Sequence, residues 1–186
     1  MNQKLTKKIN NLETIQRISV EDILSFISLN KVDKVLDLGA GVGYISLPIS
    51  KYVDEVTAID FDKDILNYLD KKSKEKEITN IETLVSDFKD IQLSSETFDR
   101  AIASISLHEV SPLSQALNEI YRVLKNKGVF LCIELEKLDL TKAPRVSSED
   151  MVEQVRDAGF DKVDVFYPEG KIANQPVYIV VAEKNI

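Results

Sequence analysis

Four places along this sequence carry residue types that could do chemistry. The first is the loop Gly39-Ala40-Gly41-Val42-Gly43, which follows the apolar run Val35-Leu36-Asp37-Leu38. Alternating glycines let a backbone take angles barred to residues with side chains, and they let a ligand approach it closely. The spacing limits the ligand. A dinucleotide fingerprint needs its third glycine where Tyr44 stands, and no phosphate loop of the form G-x-x-x-x-G-K-[ST] occurs. Asp60 ends the next apolar run, where a carboxylate can accept from both hydroxyls of a ribose; the alternative is an exposed strand-end aspartate. In Ser86-Asp87-Phe88, Asp87 can accept from an adenine amino group and Phe88 can pack beside the ring; the alternative is a capping aspartate. His108 is the sole histidine. Its near-neutral pKa suits it to take a proton from a hydroxyl or an amine. Two other readings stay open for it: a pocket wall and a helix cap.

These residues need a scaffold that brings several strand ends together. Apolar runs at 34–38, 55–60, 81–85, 98–105, 129–135, 160–167 and 177–182 predict seven strands. Between them lie helical patterns: about 14–29, where Ser19 and Asp22 resemble a capping box, then 44–52, 62–76, 111–128 and 147–158. Pro112 suits the first turn of the fourth of these helices, and Gly159 caps the last. Alternation of strand and helix predicts a three-layer α/β fold with a largely parallel sheet. The last connection is too short for a helical crossover, so the seventh strand is expected to run antiparallel to the sixth. The chain reads as one domain over 1–186, with 1–30 as an N-terminal helical lid on a core of 31–186.

Composition narrows the partners. Among 186 residues, 24 Lys and Arg stand against 31 Asp and Glu, a formal charge of −7, which argues against nucleic acid as a partner. The dense basic run Lys71-Lys72-Ser73-Lys74 alternates into glutamates and reads as a solvated helix end. No apolar stretch approaches a membrane span, and the basic start Met1-Asn2-Gln3-Lys4 lacks the apolar core of a signal peptide, so a cytoplasmic protein is expected. Cys132 is the sole cysteine and lies in an apolar run; it is expected to be a core thiol. No metal cluster is expected.

Taken as a set, these motifs resemble those of the class I S-adenosylmethionine-dependent methyltransferases, in their small-molecule, methyltransferase type 11-like branch. Val35 to Gly43 looks like motif I. Val56-Thr57-Ala58-Ile59-Asp60 resembles the acidic second strand, Ser86-Asp87-Phe88 the adenine turn, and Phe98 to Ser104 the fourth strand. Arg122 to Phe130 resembles the passage from helix to fifth strand. The resemblance spans about 32–184. It implies a Rossmann-like seven-stranded sheet of order 3-2-1-4-5-7-6 with strand seven antiparallel. It implies S-adenosylmethionine as cofactor, held by Asp37, Gly39, Ala40, Gly41, Gly43, Asp60, Phe61, Asp87, Phe88 and Ser104. His108 falls where relatives often read Leu-His-His and is the candidate catalytic base; Glu109 replaces the second histidine.

Methyl transfer from a sulfonium depends on in-line placement and desolvation, so no protein nucleophile is required. Signatures of nucleic-acid amino methyltransferases, DNA cytosine enzymes and arsenite enzymes are absent; the resemblance to the small-molecule branch implies a small or medium acceptor, with its identity open. Between the fifth strand and the next helix no cap insertion occurs. Arg17 in the lid is a candidate for the cofactor carboxylate, against the alternative of a surface arginine. A second subunit, as in a homodimer, or a larger substrate could complete an open pocket. The alternatives to an enzyme of this kind are a non-catalytic cofactor- or partner-binding module on the same fold and, disfavoured by Tyr44, a nicotinamide-dependent oxidoreductase.

Overall fold

The computed structural model describes residues 3–138 and 142–185. Met1, Asn2 and part of the polar stretch between the fifth strand and the last helix lie outside the described residues. The elements are α1 (Gln3–Thr14), α2 (Val20–Leu24), β1 (Lys34–Leu38), α3 (Ser46–Ile49), β2 (Glu55–Asp60), α4 (Lys63–Glu75), β3 (Ile81–Val85), β4 (Phe98–Ser104), α5 (Leu113–Val123), β5 (Leu124–Leu135), α6 (Ser148–Asp157), β6 (Lys162–Phe166), β7 (Lys171–Ile172) and β8 (Gln175–Glu183). They form an eight-stranded sheet of order β3-β2-β1-β4-β5-β8-β6, with β7 paired to β8 off that path. Strands β1 to β5 pair in parallel. Strand β8 runs antiparallel to both β5 and β6.

The expected order and antiparallel strand are present, with one strand more than expected. The short last connection folds as a hairpin: Ile172 pairs Gln175 across Ala173 and Asn174, both at positive φ. Two central residues with φ > 0 match the twist of paired strands. Asn tolerates that region; Ala gives no sequence signal for it.

Period-two alternation divides the core. Leu36, Ala101, Phe130, Cys132, Tyr178 and Val180 face α5 and α6, meeting Leu117, Ile120, Met151 and Val155. Their neighbours Val35, Ile102, Leu131, Ile133 and Ile179 face Ile18, Ile23, Ile45 and Ile49. Burial holds the Cys132 thiol well above its usual pKa, in keeping with an inert core thiol.

Two local expectations are corrected. The helical pattern expected over 14–29 is helical only over Val20–Leu24; residues 15–18 are a connection that follows α1, which ends at Thr14. The cap read at Ser19 is present: its hydroxyl accepts from the Asp22 amide at 3.1 Å and starts α2 there. Within the helical lid expected over 1–30, the helix over 3–14 is not delimited from the sequence, although Leu5, Ile9 and Leu12 lie at helical spacing and pack on Val42, Ile65 and Tyr68. Helix α5 stops at Val123 rather than at Gly128. There Lys184 Nζ donates to the carbonyls of Tyr121 and Leu124 at 2.9 and 2.7 Å, satisfying the helix end, and the chain enters β5 at once. Among the described residues no helix is long and apolar enough to cross a membrane, and no three His, Cys, Asp or Glu side chains converge as metal ligands.

Candidate functional site

The C-terminal ends of β1, β2, β3 and β4 open into a cleft of about 920 Å³, covered from the other side by α1 and the segment after it. The glycine loop forms its floor. The Gly39 and Ala40 amides donate to the Ile59 carbonyl at 2.8 and 3.0 Å, tying the loop to β2. Gly39 has φ +77°, and a Cβ there would sit 2.4 Å from Ser106 Cβ. Gly41 has φ +52°, and a Cβ on it would meet nothing closer than the Gly39 carbonyl at 3.9 Å, so its open side faces the cleft it lines. Gly43 differs from them. It does not line the cleft, and an added Cβ would strike Leu69 and Leu47 at 2.5 and 2.8 Å. It is a packing glycine against α4, whereas the sequence motif groups it with the cofactor residues.

Asp60 is buried beside this floor. Its Oδ2 accepts from the Gly41 amide at 3.1 Å and its Oδ1 from the Asp62 amide at 3.0 Å. One backbone donor on each oxygen fixes the carboxylate and leaves acceptor capacity on both. Asp62 in turn caps α4 by accepting from Asp64 and Ile65, and it pairs with Lys8 of α1 at 2.6 Å.

At the end of β1, Asp37 is almost fully buried and accepts from the Ser46 hydroxyl. Burial pushes its carboxyl up to about 6, against the pull of that hydrogen bond. The Arg17 guanidinium contributes favourably to the Asp37 charge while stacking 4.5 Å from the Tyr44 ring. Tyr44 donates to the Ile18 carbonyl, and burial raises its hydroxyl pKa to about 12.

The opposite rim holds Asp87, Phe88 and Phe61, all lining the cleft. Asp87 Oδ1 accepts from the Lys89 amide at 2.9 Å, and its Oδ2 lies 4.0 Å from Lys89 Nζ, a loose exposed pair. Phe88 is buried beneath the loop, whereas Phe61 is 67% exposed, with Lys8 Nζ 5.4 Å from its ring centre. Phe61 and the half-exposed Val85 are therefore the free apolar surfaces at this end.

Among the described residues, two buried polar atoms that line the cleft have no hydrogen-bond partner: Ser104 Oγ and Arg17 Nε. Buried polar groups are normally satisfied, so an unpaired donor and hydroxyl in a cleft wall suit a polar ligand. The residues present fit an amino-acid-bearing nucleoside. Acceptors for a ribose and an adenine stand at one end, and a carboxylate beside a guanidinium stands at the other.

His108, read as a candidate base, does not line the cleft; Glu109, Val110 and Ser111 do. Its ring turns toward β5, where Nδ1 lies 2.8 Å from Glu134 Oε2. That hydrogen bond raises the imidazole pKa above its ordinary value, against the effect of burial. Glu134 escapes notice in the sequence because it sits in the apolar run of β5. It is fully buried, and its Oε1 also accepts from the amides of Ser106, Leu107 and His108 at 3.0, 2.8 and 3.3 Å.

With this geometry in hand, comparison with known proteins is decisive. A family model described as a methyltransferase domain matches residues 36–132, just over half of the chain. The chain belongs to that family. Its class I, S-adenosylmethionine-dependent character is supported by its relatives. It is 38% identical over 109 residues to the demethylmenaquinone methyltransferase of Leptospira interrogans, covering 56% of this chain and 43% of that protein. It is 30% identical over 125 residues to the ubiquinone/menaquinone biosynthesis C-methyltransferase of Rickettsia prowazekii, covering 63% of this chain and 50% of that one. The chain thus spans half or less of the length of these curated relatives. A solved S-adenosylmethionine-dependent methyltransferase from Aquifex aeolicus superposes with a TM-score of 0.78 at 26% identity, over 97% of this chain and 96% of the other.

Proposed function

We propose that this chain transfers a methyl group from S-adenosylmethionine to a small or medium acceptor. The observation that carries this reading is the joint presence, in one cleft, of a fixed Asp60 carboxylate with spare acceptor capacity and an unpartnered Arg17 Nε. The bound cofactor supplies an electrophilic methyl on a sulfonium. In this reading Asp60 takes the ribose hydroxyls above Gly39, Ala40 and Gly41. Asp87 takes the adenine amino group, with Phe61, Val85 and Phe88 about the ring. Arg17 takes the carboxylate, and Asp37 and Ser104 lie by the ammonium. The positive charge of ammonium and sulfonium offsets the cost of an ionised Asp37. The chain acts as one domain in the cytoplasm, with residues 1–30 as lid, and its open rim leaves room for a second subunit.

In this reading the acceptor enters beside Glu109, Val110 and Ser111, and Leu12, Ile15, Val110 and Ile172 supply apolar lining to the same cleft. One relative is named as a ubiquinone/menaquinone biosynthesis C-methyltransferase and another as a demethylmenaquinone methyltransferase, and an apolar ring compound suits these apolar lining residues. Calorimetry with S-adenosylmethionine and S-adenosylhomocysteine tests the cofactor half; absence of heat at about 1 mM of either, the weakest affinity worth the name, sinks it. Transfer of labelled methyl from S-adenosylmethionine into the organic-soluble fraction of a cell extract tests the acceptor half. Cofactor binding with no labelled product in any fraction would instead support a non-catalytic module.

A further inference from the structure

The turn after β4 forms one wall of the cleft through Ser104, Ile105, Ser106, Glu109 and Val110. Its backbone is strained, because Ile105 has φ +54°. A β-branched residue in that region is an outlier that persists only where the surroundings hold it. The Ile105 amide donates to the Ile133 carbonyl at 2.8 Å, and the Ser106 hydroxyl donates to the Leu38 carbonyl at 2.9 Å. The next three amides all converge on Glu134 Oε1. One oxygen of a fully buried carboxylate therefore holds the turn, and the other holds the His108 ring.

We infer that Glu134 is a positioning residue with two coupled tasks: its Oε1 fixes the β4 wall of the cleft, and its Oε2 fixes His108 with the proton on Nδ1 and the lone pair on Nε2. Nε2 lies 4.0 Å from Glu109 Oε1, and Glu109 lines the acceptor side. The neutral ring then offers its proton-accepting atom toward the rim, for an acceptor whose nucleophilic atom arrives carrying a proton. As the acceptor's bond to the methyl carbon forms, the carbon–sulfur bond breaks with its electron pair to sulfur, and the acceptor's proton leaves toward the Glu109–His108 side. This last use rests on the methyltransferase reading; the tautomer and the wall do not.

The ionisable groups facing His108 are Glu134 from β5, Glu109 from its own turn and Arg145 from the segment before α6. Glu134 and Glu109 favour the imidazolium, whereas Arg145 and burial oppose it. A glutamine at this position cannot satisfy both sides, because its amide nitrogen would face either three N–H donors or Nδ1–H. The Glu134→Gln variant therefore relaxes either by releasing the turn or by inverting the tautomer.

The test uses the full chain and the fact that it has one histidine, which gives a single imidazole signal pair in ¹⁵N-resolved NMR. In the wild type the neutral ring should show Nδ1–H, with a titration midpoint above about 6.5. In Glu134→Gln the midpoint should fall to about 6.5 or below, since burial remains while its carboxylate partner is gone. The same variant should bind S-adenosylhomocysteine about tenfold more weakly, as expected when a charged acceptor is removed from buried amides. A wild-type ring with Nε2–H, or in the mixture of free imidazole, overturns the proposal even if the variant does not fold. So does a Glu134→Gln spectrum and titration identical to wild type. Failure of the wild type to bind S-adenosylhomocysteine overturns the methyltransferase reading instead, and leaves the histidine measurement to decide the rest.

Discussion

The two walls of the cleft are built in different ways. The sheet wall, from Gly39 to Asp60 and on to Asp87, is fixed by backbone: loop amides on the Ile59 carbonyl, Gly41 and Asp62 amides on Asp60, and the Lys89 amide on Asp87. The lid wall is held by side chains that meet from far apart in sequence. Lys8 reaches Asp62, Glu13 reaches Lys72 and Tyr68, and Arg17 lies over Tyr44. A wall held by its own backbone is preorganised before any ligand arrives. A wall held by half-exposed ion pairs is worth little in isolation and can open. The cofactor's recognition should therefore be concentrated on the first wall, and its retention on the second.

That contrast can be broken by substitution, and the largest effect should come from the floor. Gly39→Ala combines a left-handed backbone with a 2.4 Å clash against Ser106 Cβ. It should destabilise the protein by about 2–4 kcal/mol in chemical denaturation and abolish cofactor heat in calorimetry. If Gly39→Ala binds normally, the floor is not preorganised as described.

Asp37 should give the next effect, with an unusual sign. Its folded pKa of about 6 lies above the ordinary 3.8, so the folded chain holds a proton that the unfolded chain has lost. Stability should therefore fall as pH rises from about 4 to about 6, by on the order of 3 kcal/mol in total, and stay lowered above that. Asp37→Asn should remove this slope and be more stable than wild type at pH 8, by urea titration, while binding S-adenosylmethionine less well. His108 acts in the same direction at higher pH: its raised folded pKa adds stability below about 6.5 that is lost as pH climbs through the folded value. Because Glu13, Asp62, Asp99 and Glu119 are held below their ordinary values and add stability as pH rises, the readout is the difference between Asp37→Asn and wild type: an advantage of the variant that does not grow between about pH 4 and 6 contradicts the Asp37 assignment.

Asp60→Ala should cost about 1–3 kcal/mol of cofactor binding, because ribose hydroxyls and two backbone amides lose their acceptor together. The smallest effect belongs to the lid. Lys8→Ala removes a partly exposed pair and should weaken binding by only about 0.2–1 kcal/mol, and less in high salt. Its signature should be faster cofactor release in stopped-flow, with association little changed. A Lys8→Ala effect as large as that of Asp60→Ala would erase the distinction between the walls.

The same division explains what the sequence revealed. The parallel strands, the glycine loop, Asp60 and Asp87 were legible because each depends on a short run: an apolar strand, then a residue at its end; the strand order came only from the family resemblance of those runs taken together. Even the Ser19 cap was readable from its neighbours. The bounds of helix α1 within the expected helical lid were not, since its stripe of Leu5, Ile9 and Leu12 has meaning only against Val42 and Ile65. Glu134 was hidden for a similar reason. A carboxylate inside an apolar strand looks out of place until the amides of a turn 26 to 28 residues earlier arrive around it. Gly43 was misread in the other direction, because glycine required by a side chain of α4 looks the same in sequence as glycine required by a ligand.

Strand β8 sits between β5 and β6 in the sheet but follows both in the sequence. Among the described residues β6 pairs with β8 alone, so until β8 is in place β6 has no sheet neighbour and β5 carries an open edge of Leu131, Ile133 and Leu135. The growing chain can assemble the parallel half early, with the glycine loop and Asp60 already beside one another. The other half waits for residues 175–183, and so does Ile172, whose hairpin with β8 brings it to the cleft. A nascent chain stalled before β8 should therefore present a sticky strand edge to chaperones, and a cofactor cleft that is one wall short of closing.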